Sequence, residues 1–273
     1  MKIVSTPNEL RALQKESQGT IGFVPTMGAL HNGHLSLIRR STQENDITVV
    51  SIFVNPTQFL AGEDLNTYPK RTQADLKICQ LAGVDVVFMP QADEMYCDDE
   101  PTLHAPSRIG YILEGFQRPG HFDGVLRVVL KLFNLVQPTR AYFGKKDAQQ
   151  LYLIKNMVET LFLPIEIIPC EIVREEDGLA LSSRNVYLSA QEREDALKLS
   201  KALKTATRQV MQKEFSASAI EAQMRQTLAP LVIDYACVLN RRFEPIGAVE
   251  IGNTMILVAA RLGSTRLIDN IWI

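Results

Sequence analysis

The sequence has little net charge, few cysteines and no long hydrophobic run, and each shortage excludes a class of protein. Its 273 residues carry a formal net charge of −2 at pH 7, so the chain lacks the basic excess of proteins that bind nucleic acid. No apolar run reaches the roughly 18 residues that a membrane-spanning helix needs. The start of the chain turns polar before the apolar region of a secretory signal could form. We therefore expect a cytoplasmic protein that binds neither nucleic acids nor membranes.

The four cysteines are too far apart to suggest a metal cage or a disulfide framework. No C-x-x-C pair occurs among Cys79, Cys97, Cys170 and Cys237, and such pairs are the usual signature of zinc and redox sites. Isolated thiols are the simpler interpretation. The length of the chain exceeds that of one typical core, which favours two domains.

The first two thirds of the chain alternate short β-rich runs with helix-period segments. This alternation is typical of a parallel sheet with crossover helices. The runs predict strands over 20–24, 47–54, 84–89, 141–143 and 165–168, and helices over 34–44, 72–81, 125–136 and 149–161. We expect residues 1–173 to form a doubly wound α/β domain.

A charged segment that ends in a flexible glycine, residues 174–178, marks the predicted domain boundary. Beyond it the pattern predicts helices over 190–213 and 217–227 and strands over 232–239, 255–261 and 266–271. Gly263 and Ser264 are typical of a hairpin turn between the last two strands. We expect residues 174–273 to form a smaller α+β lid domain with an antiparallel sheet.

The segment TMGALHNGH, residues 26–34, lies between a β-rich run and an amphipathic one. In open α/β sheets ligands collect at the carboxyl ends of strands, where helix N-termini attract phosphate. His31 and His34 can share one side of the first helical turn and donate hydrogen bonds to phosphoryl oxygens. Two alternatives stay open: a metal pair, for which no nearby acidic or sulfur ligand completes a zinc set, and two surface histidines at a helix cap.

Two amides follow the strongest strand candidate, where Pro56 stops the strand. Asn55 and Gln58 offer neutral donors and acceptors, which suit a substrate with hydroxyl and carboxylate groups. Turn capping by Asn55 explains the pattern equally well.

The segment GFQRPGHFDG, residues 115–124, is typical of an ordered functional loop. Arg118 can pair with a carboxylate, and His121 can bond to a substrate or hold the loop by bonding to the backbone. Both uses of His121 stay open.

Two further segments carry groups suited to phosphate. FGKKDAQQ, residues 143–150, runs from a strand through a glycine turn into a helix, with lysines for phosphate and Asp147 as a helix cap; a solvated lysine pair is the alternative. LSSRN, residues 181–185, combines hydroxyls with a guanidinium on a loop that can close over a triphosphate. Its alternative is a series of helix caps, although Ser189 fills that role better.

In order and spacing, these five segments resemble the motifs of the pantoate–β-alanine ligase family. The resemblance implies a Rossmann-like fold of the HxGH nucleotidyltransferase type and a homodimeric ligase that depends on ATP and Mg²⁺. Such an enzyme joins pantoate to β-alanine through a pantoyl adenylate and releases pyrophosphate and AMP. No serine or cysteine stands out as the nucleophile of an acyl-enzyme, in agreement with activation by ATP.

The resemblance also implies a role for individual residues. Catalysis is assigned to His34, His31, Lys146, Ser183 and Arg184, and pantoate binding to Gln58 and Gln150, together with Asn55 from its neutral amide. His34 matches the residue usually described as a proton donor, and His31 matches its phosphate-contacting companion. Charge stabilisation explains a histidine near the α-phosphate without proton transfer. Gln58 is also placed at the β-alanine site, and Asp75 matches an acid near the magnesium ion, although Ala74 stands where a second acid can occur. The implied ATP site comprises Met27, Gly28, Ala29, Leu30, His31, Asn32, Gly33, His34, Gly144, Lys145, Lys146, Asp147, Val173, Leu181, Ser182, Ser183 and Arg184.

Two rival functions share much of this pattern. One is a nucleotidyltransferase that keeps the adenylate as its product. The other is a nucleotide-sensing module without catalysis, although the presence of both histidines, Lys146, Ser183 and Arg184 argues against a decayed site.

Overall fold

A computed structural model describes residues 1–16 and 18–273. The chain divides into two compact units. The first comprises Met1–Lys145 and Gln149–Glu171, and the second comprises Lys146–Ala148 and Ile172–Ile273. Residues 146–148, 172 and 173 thus lie in the second unit, whereas the pattern of the sequence placed them in the first predicted domain.

Six strands in the described part of the first unit form one parallel sheet. They are β1 (Lys2–Val4), β2 (Ile21–Thr26), β3 (Ile47–Ile52), β4 (Val86–Phe88), β5 (Arg140–Gly144) and β6 (Glu166–Cys170). Their spatial order is β1-β4-β3-β2-β5-β6. Strands β3 and β4 lie on one side of β2, and strands β5 and β6 lie on the other. The direction of winding therefore changes between β2 and β5, and ligands of such sheets bind at the carboxyl ends of the strands near this point.

Helices connect these strands, as the alternating pattern predicts. They are α1 (Pro7–Glu16), α2 (Asn32–Glu44), α3 (Thr72–Leu81), α4 (Ala92–Met95), α5 (Glu114–Gln117), α6 (His121–Val136) and α7 (Ala148–Thr160). Helix α6 buries an apolar face whose Phe133 packs edge-on against Phe23 of β2 and Phe143 of β5, with ring centroids 6.3 Å away in each case. The predicted doubly wound α/β fold is confirmed.

The second unit contains an antiparallel sheet covered by two helices. The helices are α8 (Ala190–Met211) and α9 (Ala217–Leu228), and the strands are β7 (Val232–Asn240), β8 (Thr254–Leu262) and β9 (Thr265–Trp272). Gly263 and Ser264 join β8 to β9, and Gly263 adopts a positive φ of 56°, which glycine tolerates without steric cost. The predicted α+β architecture is confirmed. Among the described helices, none combines the length and hydropathy needed to cross a bilayer.

Several elements differ from their predicted bounds or were not predicted. Strand β1 was not predicted, since three residues are too few for a recognisable alternation. Helix α1 was not predicted either. Helix α6 begins at His121 instead of residue 125, and β3 ends at Ile52 instead of residue 54. These ends depend on packing and on turns, which periodicity does not report.

Candidate active site

The loop between β2 and α2 is held by a carboxylate from α3. Gly28 and Ala29 have positive φ values of 83° and 50°, and for alanine this conformation is strained. The N–H groups of Ala29 and Leu30 donate to Oδ2 and Oδ1 of Asp75 at 2.9 and 2.8 Å. Asp75 is 2% exposed. Its two oxygens therefore stabilise a turn that would otherwise bury two unpaired N–H groups.

His31 and His34 accept hydrogen bonds from the backbone of the same helical turn. His31 is the N-cap of α2, and its Nδ1 accepts from the N–H of Gly33 at 3.1 Å. Nδ1 of His34 accepts from the N–H of His31 at 3.3 Å, and the two ring centroids lie 4.1 Å apart. A ring nitrogen that accepts a hydrogen bond carries no proton. Both neutral imidazoles therefore carry their proton on Nε2 and can donate from it.

A cavity of about 330 Å³ opens beside Met27 and Gly28, at the carboxyl ends of β3 and β4. Its volume suits a small molecule. Most of its walls are apolar, and Lys70 and Arg71 add positive charge at the beginning of α3. The lining residues are Met27, Gly28, Ile52, Phe53, Val54, Pro56, Pro69, Lys70, Arg71, Thr72, Asp75, Met89, Pro90, Gln91 and Ala92.

Asn55 and Gln58 lie together in the turn after β3, but they differ in what they can offer a ligand. The Asn55 side chain is 1% exposed. Its Oδ1 accepts from the N–H and hydroxyl of Thr57 and from the hydroxyl of Tyr96, at 3.2, 2.9 and 2.7 Å. Its Nδ2 donates to Gln58 Oε1 and to the carbonyl of Gly124, at 3.1 and 3.2 Å. Both polar atoms of the Asn55 side chain thus have protein partners, which gives Asn55 a structural role, and its contact with pantoate stays a prediction.

Arg118 and His121 bond to the protein itself. Arg118 pairs with both carboxylate oxygens of Glu63, at 2.6 and 2.7 Å. His121 is 7% exposed, and its Nδ1 lies 2.8 Å from the carbonyl oxygen of Gln58. Of the two uses that the sequence left open for His121, the structure shows the bond to the backbone.

The segment after β5 contains two adjacent glutamines with different surroundings. Gln149 is 3% exposed, and its amide bonds to the backbone of Ile109, Ile112 and Glu114. Gln150 is half-buried in the first turn of α7. Beside them, Gly144 ends β5 and Lys145 pairs with Glu171. The sequence did not reveal that Gln149 ties the loop before α5 to α7.

In the second unit, the remaining residues of the predicted ATP site lie on loops that hydrogen bonds stabilise. The carbonyl of Lys146 accepts from Nδ2 of Asn270 at 2.8 Å. The N–H of Leu181 donates to the carbonyl of Val173 at 3.0 Å. Ser182 caps a short 3₁₀ turn, Ser183–Tyr187, that contains Arg184. Asp147 is exposed just before α7.

The cap alternative for this loop is correct for Ser182, since its Oγ accepts from the N–H of Arg184 at 3.3 Å. Ser189 caps α8, as expected, in a capping box with Glu192. The side chains of Ser183 and Arg184 are half-buried.

The described residues do not supply a set of three or more side-chain ligands for a divalent cation. No cluster of three or more histidine, cysteine, aspartate or glutamate side chains in 1–16 and 18–273 is placed to hold a metal. Asp75 is buried, and both of its oxygens already accept backbone hydrogen bonds. Each carboxylate oxygen has a second lone pair, so these bonds do not exclude a contact with Mg²⁺, and this role of Asp75 stays a prediction.

The chain matches known proteins over its whole length. Residues 2–272 match the family Pantoate-beta-alanine ligase. The chain belongs to the pantoate–β-alanine ligase family. It is 58% identical to the pantothenate synthetase of Campylobacter fetus, with both chains fully covered. The ligase is therefore an amide-forming enzyme.

Solved structures of the family have the same fold. The pantothenate synthetase of Thermus thermophilus is 43% identical, with 99% of each chain covered and a TM-score of 0.94. The pantoate-beta-alanine ligase of Francisella tularensis is 36% identical, with 100% of this chain and 97% of that chain covered and a TM-score of 0.82. That structure is a complex with beta-gamma ATP and beta-alanine.

Replacement of Asp75 by asparagine should destabilise the ligase. The asparagine side chain would keep one acceptor oxygen but present an NH₂ group to the second backbone N–H. Loss of a charge-assisted bond in a buried site costs about 2 kcal/mol. We expect urea denaturation of Asp75→Asn to show a free energy of unfolding lower by about that amount. Asp93→Asn, at an exposed position of α4, is the matched control. Equal stability of the two variants would contradict the structural role of Asp75.

The buried imidazole of His121 should make stability depend on pH. Burial, followed by the positive charge of Arg118, lowers the pKa of His121 from 6.5 to about 4. The unfolded chain takes up a proton between pH 6.5 and 4 while the folded chain does not, so the free energy of unfolding falls as pH falls. At pH 5 the free energy of unfolding is lower than at neutral pH by about 2 kcal/mol.

The variant His121→Asn cannot titrate in this range. We expect its free energy of unfolding to fall less between pH 7 and pH 5 than that of the unchanged ligase, by about 2 kcal/mol. Urea denaturation of both proteins at the two pH values measures this difference. An equal fall in both proteins would show that His121 is not held neutral.

Proposed function

We propose that the ligase forms pantothenate from pantoate and β-alanine in two steps, with ATP as the activating substrate. The pantoate carboxylate attacks the α-phosphorus of ATP, which forms pantoyl adenylate and expels pyrophosphate. The β-alanine amine then attacks the acyl carbon, forms the amide bond and expels AMP. Activation is needed because a free carboxylate is a poor acyl donor. Family membership supports the overall ligation, and the ligands of the Francisella tularensis structure support the choice of ATP.

The observation that carries this proposal is the mutual hydrogen bonding of His31 and His34 at the start of α2. Because both Nδ1 atoms accept from the backbone, both neutral rings can donate from Nε2. Phosphate groups also bind favourably at a helix N-terminus. The two rings are thus suited to donate hydrogen bonds to phosphoryl oxygens while negative charge moves onto pyrophosphate.

This arrangement favours charge stabilisation by His34 over donation of a proton. The neutral tautomer has one N–H, and a positively charged ring would have a proton on Nδ1 facing the N–H of His31. Protonation therefore costs His34 its bond to the backbone. In the proposed mechanism His34 remains neutral throughout adenylate formation.

The other assigned residues complete the proposed chemistry. Lys146 and Arg184 supply positive charge and Ser183 a hydroxyl for the phosphates. Gln58 and Gln150 bind pantoate through neutral amides, and Gln58 also serves β-alanine. The remaining positions of the predicted ATP site contribute mainly backbone N–H groups and contact surface.

We further propose that the ligase is a cytoplasmic homodimer and that ATP enters with Mg²⁺. Mg²⁺ commonly keeps several waters and binds through substrate phosphates, which agrees with the lack of a three-ligand cluster among the described residues. Its chemical contribution is to neutralise phosphate charge. Sedimentation should give a mass about twice that of one chain.

Omission of one substrate at a time tests the proposed reaction. We expect AMP to form in proportion to pantothenate only when pantoate, ATP and β-alanine are all present. With pantoate and ATP alone, the enzyme should exchange labelled pyrophosphate into ATP. Continuous release of the adenylate without β-alanine would instead support a nucleotidyltransferase, and absence of turnover would support a nucleotide-sensing module.

Removal of the His34 imidazole should slow adenylate formation severely. Loss of one preorganised donor typically lowers the rate by about 10² to 10³. We expect His34→Ala to reduce pantoate-dependent pyrophosphate exchange by that factor, while circular dichroism shows a folded protein. His104→Ala is the control, since the His104 side chain is 72% exposed. Near-normal exchange in His34→Ala would refute the role of His34.

A further inference from the structure

Gln58 is held at both its side chain and its backbone. Its Oε1 accepts from Nδ2 of Asn55 at 3.1 Å. Its carbonyl oxygen lies 2.8 Å from Nδ1 of His121 and 3.3 Å from Nη2 of Arg118. A residue with three such restraints has little freedom to rotate or to shift.

The orientation of the Gln58 amide follows from a single backbone group. The N–H of Thr57 can only donate, so the Asn55 atom that faces it at 3.2 Å is the acceptor Oδ1. Nδ2 of Asn55 then faces Gln58, which must present its own oxygen. The NH₂ group of Gln58 therefore points away from Asn55, and Nε2 lies 3.1 Å from Sδ of Met27.

The protonation of His121 follows from similar constraints. The guanidinium of Arg118 can only donate, so Nε2 of His121, 3.0 Å from Nη1, is an acceptor. The carbonyl of Gln58 can only accept, so Nδ1 of His121 carries the proton and donates it. Glu63 holds the guanidinium through two oxygens. The order Glu63, Arg118, His121, Gln58 is thus one directed set of hydrogen bonds.

Helix α6 packs closely against the turn that contains Gln58. A Cβ atom at Gly124 of α6 would lie 2.1 Å from the carbonyl oxygen of Thr57 and 2.7 Å from the nitrogen of Gln58. Glycine is therefore required for α6 to approach the turn this closely.

We propose that His121, oriented by Arg118 and Glu63, is a positioning residue that holds Gln58 so that its NH₂ group donates to an acceptor oxygen of pantoate. This inference rests on the proposed function, because it takes Gln58 to contact the acid substrate. It adds that a directed set of hydrogen bonds orients Gln58. It also adds that Gln58 is the donor, and pantoate the acceptor, in their contact. His121 itself touches no reacting atom.

The test compares a variant that lacks the donor with one that retains it. His121→Leu fills similar space but cannot donate to Gln58, whereas the amide nitrogen of His121→Asn can take the place of Nδ1. Loss of this bond should raise the KM for pantoate roughly tenfold. We expect that rise in His121→Leu with little change in kcat or in the KM for ATP, and a return to within about threefold in His121→Asn.

Two further variants accompany this pair. His104→Leu, at the exposed histidine of the same unit, should leave both KM values unchanged. Arg118→Met removes the second donor to the Gln58 carbonyl and the partner of His121. It should also raise the KM for pantoate selectively, which keeps the inference testable should His121→Leu fail to fold.

Gln58→Ala and Gln58→Glu separate the inference from the proposed function. Both should raise the KM for pantoate, and the glutamate should act more strongly because it replaces the donor with a negative charge. An unchanged KM in both would overturn the role of Gln58 and the inference with it. A raised KM in the Gln58 variants, with an unchanged KM in folded His121→Leu and Arg118→Met, would overturn the inference alone. Equal rises in the KM for pantoate and ATP in His121→Leu would also overturn it.

Discussion

The carboxylate of Asp75 is the interaction on which the first unit most depends. It joins the beginning of α3 to the loop after β2 through the N–H groups of Ala29 and Leu30, which lie 46 and 45 residues before it in the sequence. The loop adopts positive φ values that are costly for alanine, so the two charge-assisted bonds offset this strain. The loop in turn determines where α2 begins. The positions of His31 and His34 therefore depend on the carboxylate of Asp75.

The turn after β3 uses the same principle with neutral groups. Every polar atom of the Asn55 side chain has a partner, and that arrangement leaves Gln58 in one orientation. His121 and Arg118 hold the backbone of the same residue. Around the histidines and Gln58 the chain thus presents hydrogen-bond donors whose directions are set before any ligand arrives. Such preorganisation suits the proposed reaction, in which negative charge moves from the pantoate carboxylate and ATP onto pyrophosphate.

Much of the fold could be predicted from periodicity, because long elements with one buried face show it clearly. Helix α3 has the predicted bounds, and α9 differs from its prediction by one residue. The short β1 shows no period, and α6 begins four residues before its apolar repeat. Its first turn, His121–Gly124, is defined by contact with the turn after β3, and no local pattern encodes that contact.

The sequence by itself determined the family, through five motifs in one order, and the local cap of His31 and His34, which lies within one helical turn. The cap involves residues close in sequence, and the motifs can be recognised without knowing which residues are in contact. Only the tertiary structure decided that Asp75 supports a loop, that Asn55 orients Gln58 and that His121 is buried as a neutral donor. Each of these roles depends on which polar groups meet once the strands and helices pack. A buried polar group must find a partner, and the partner is chosen by the fold.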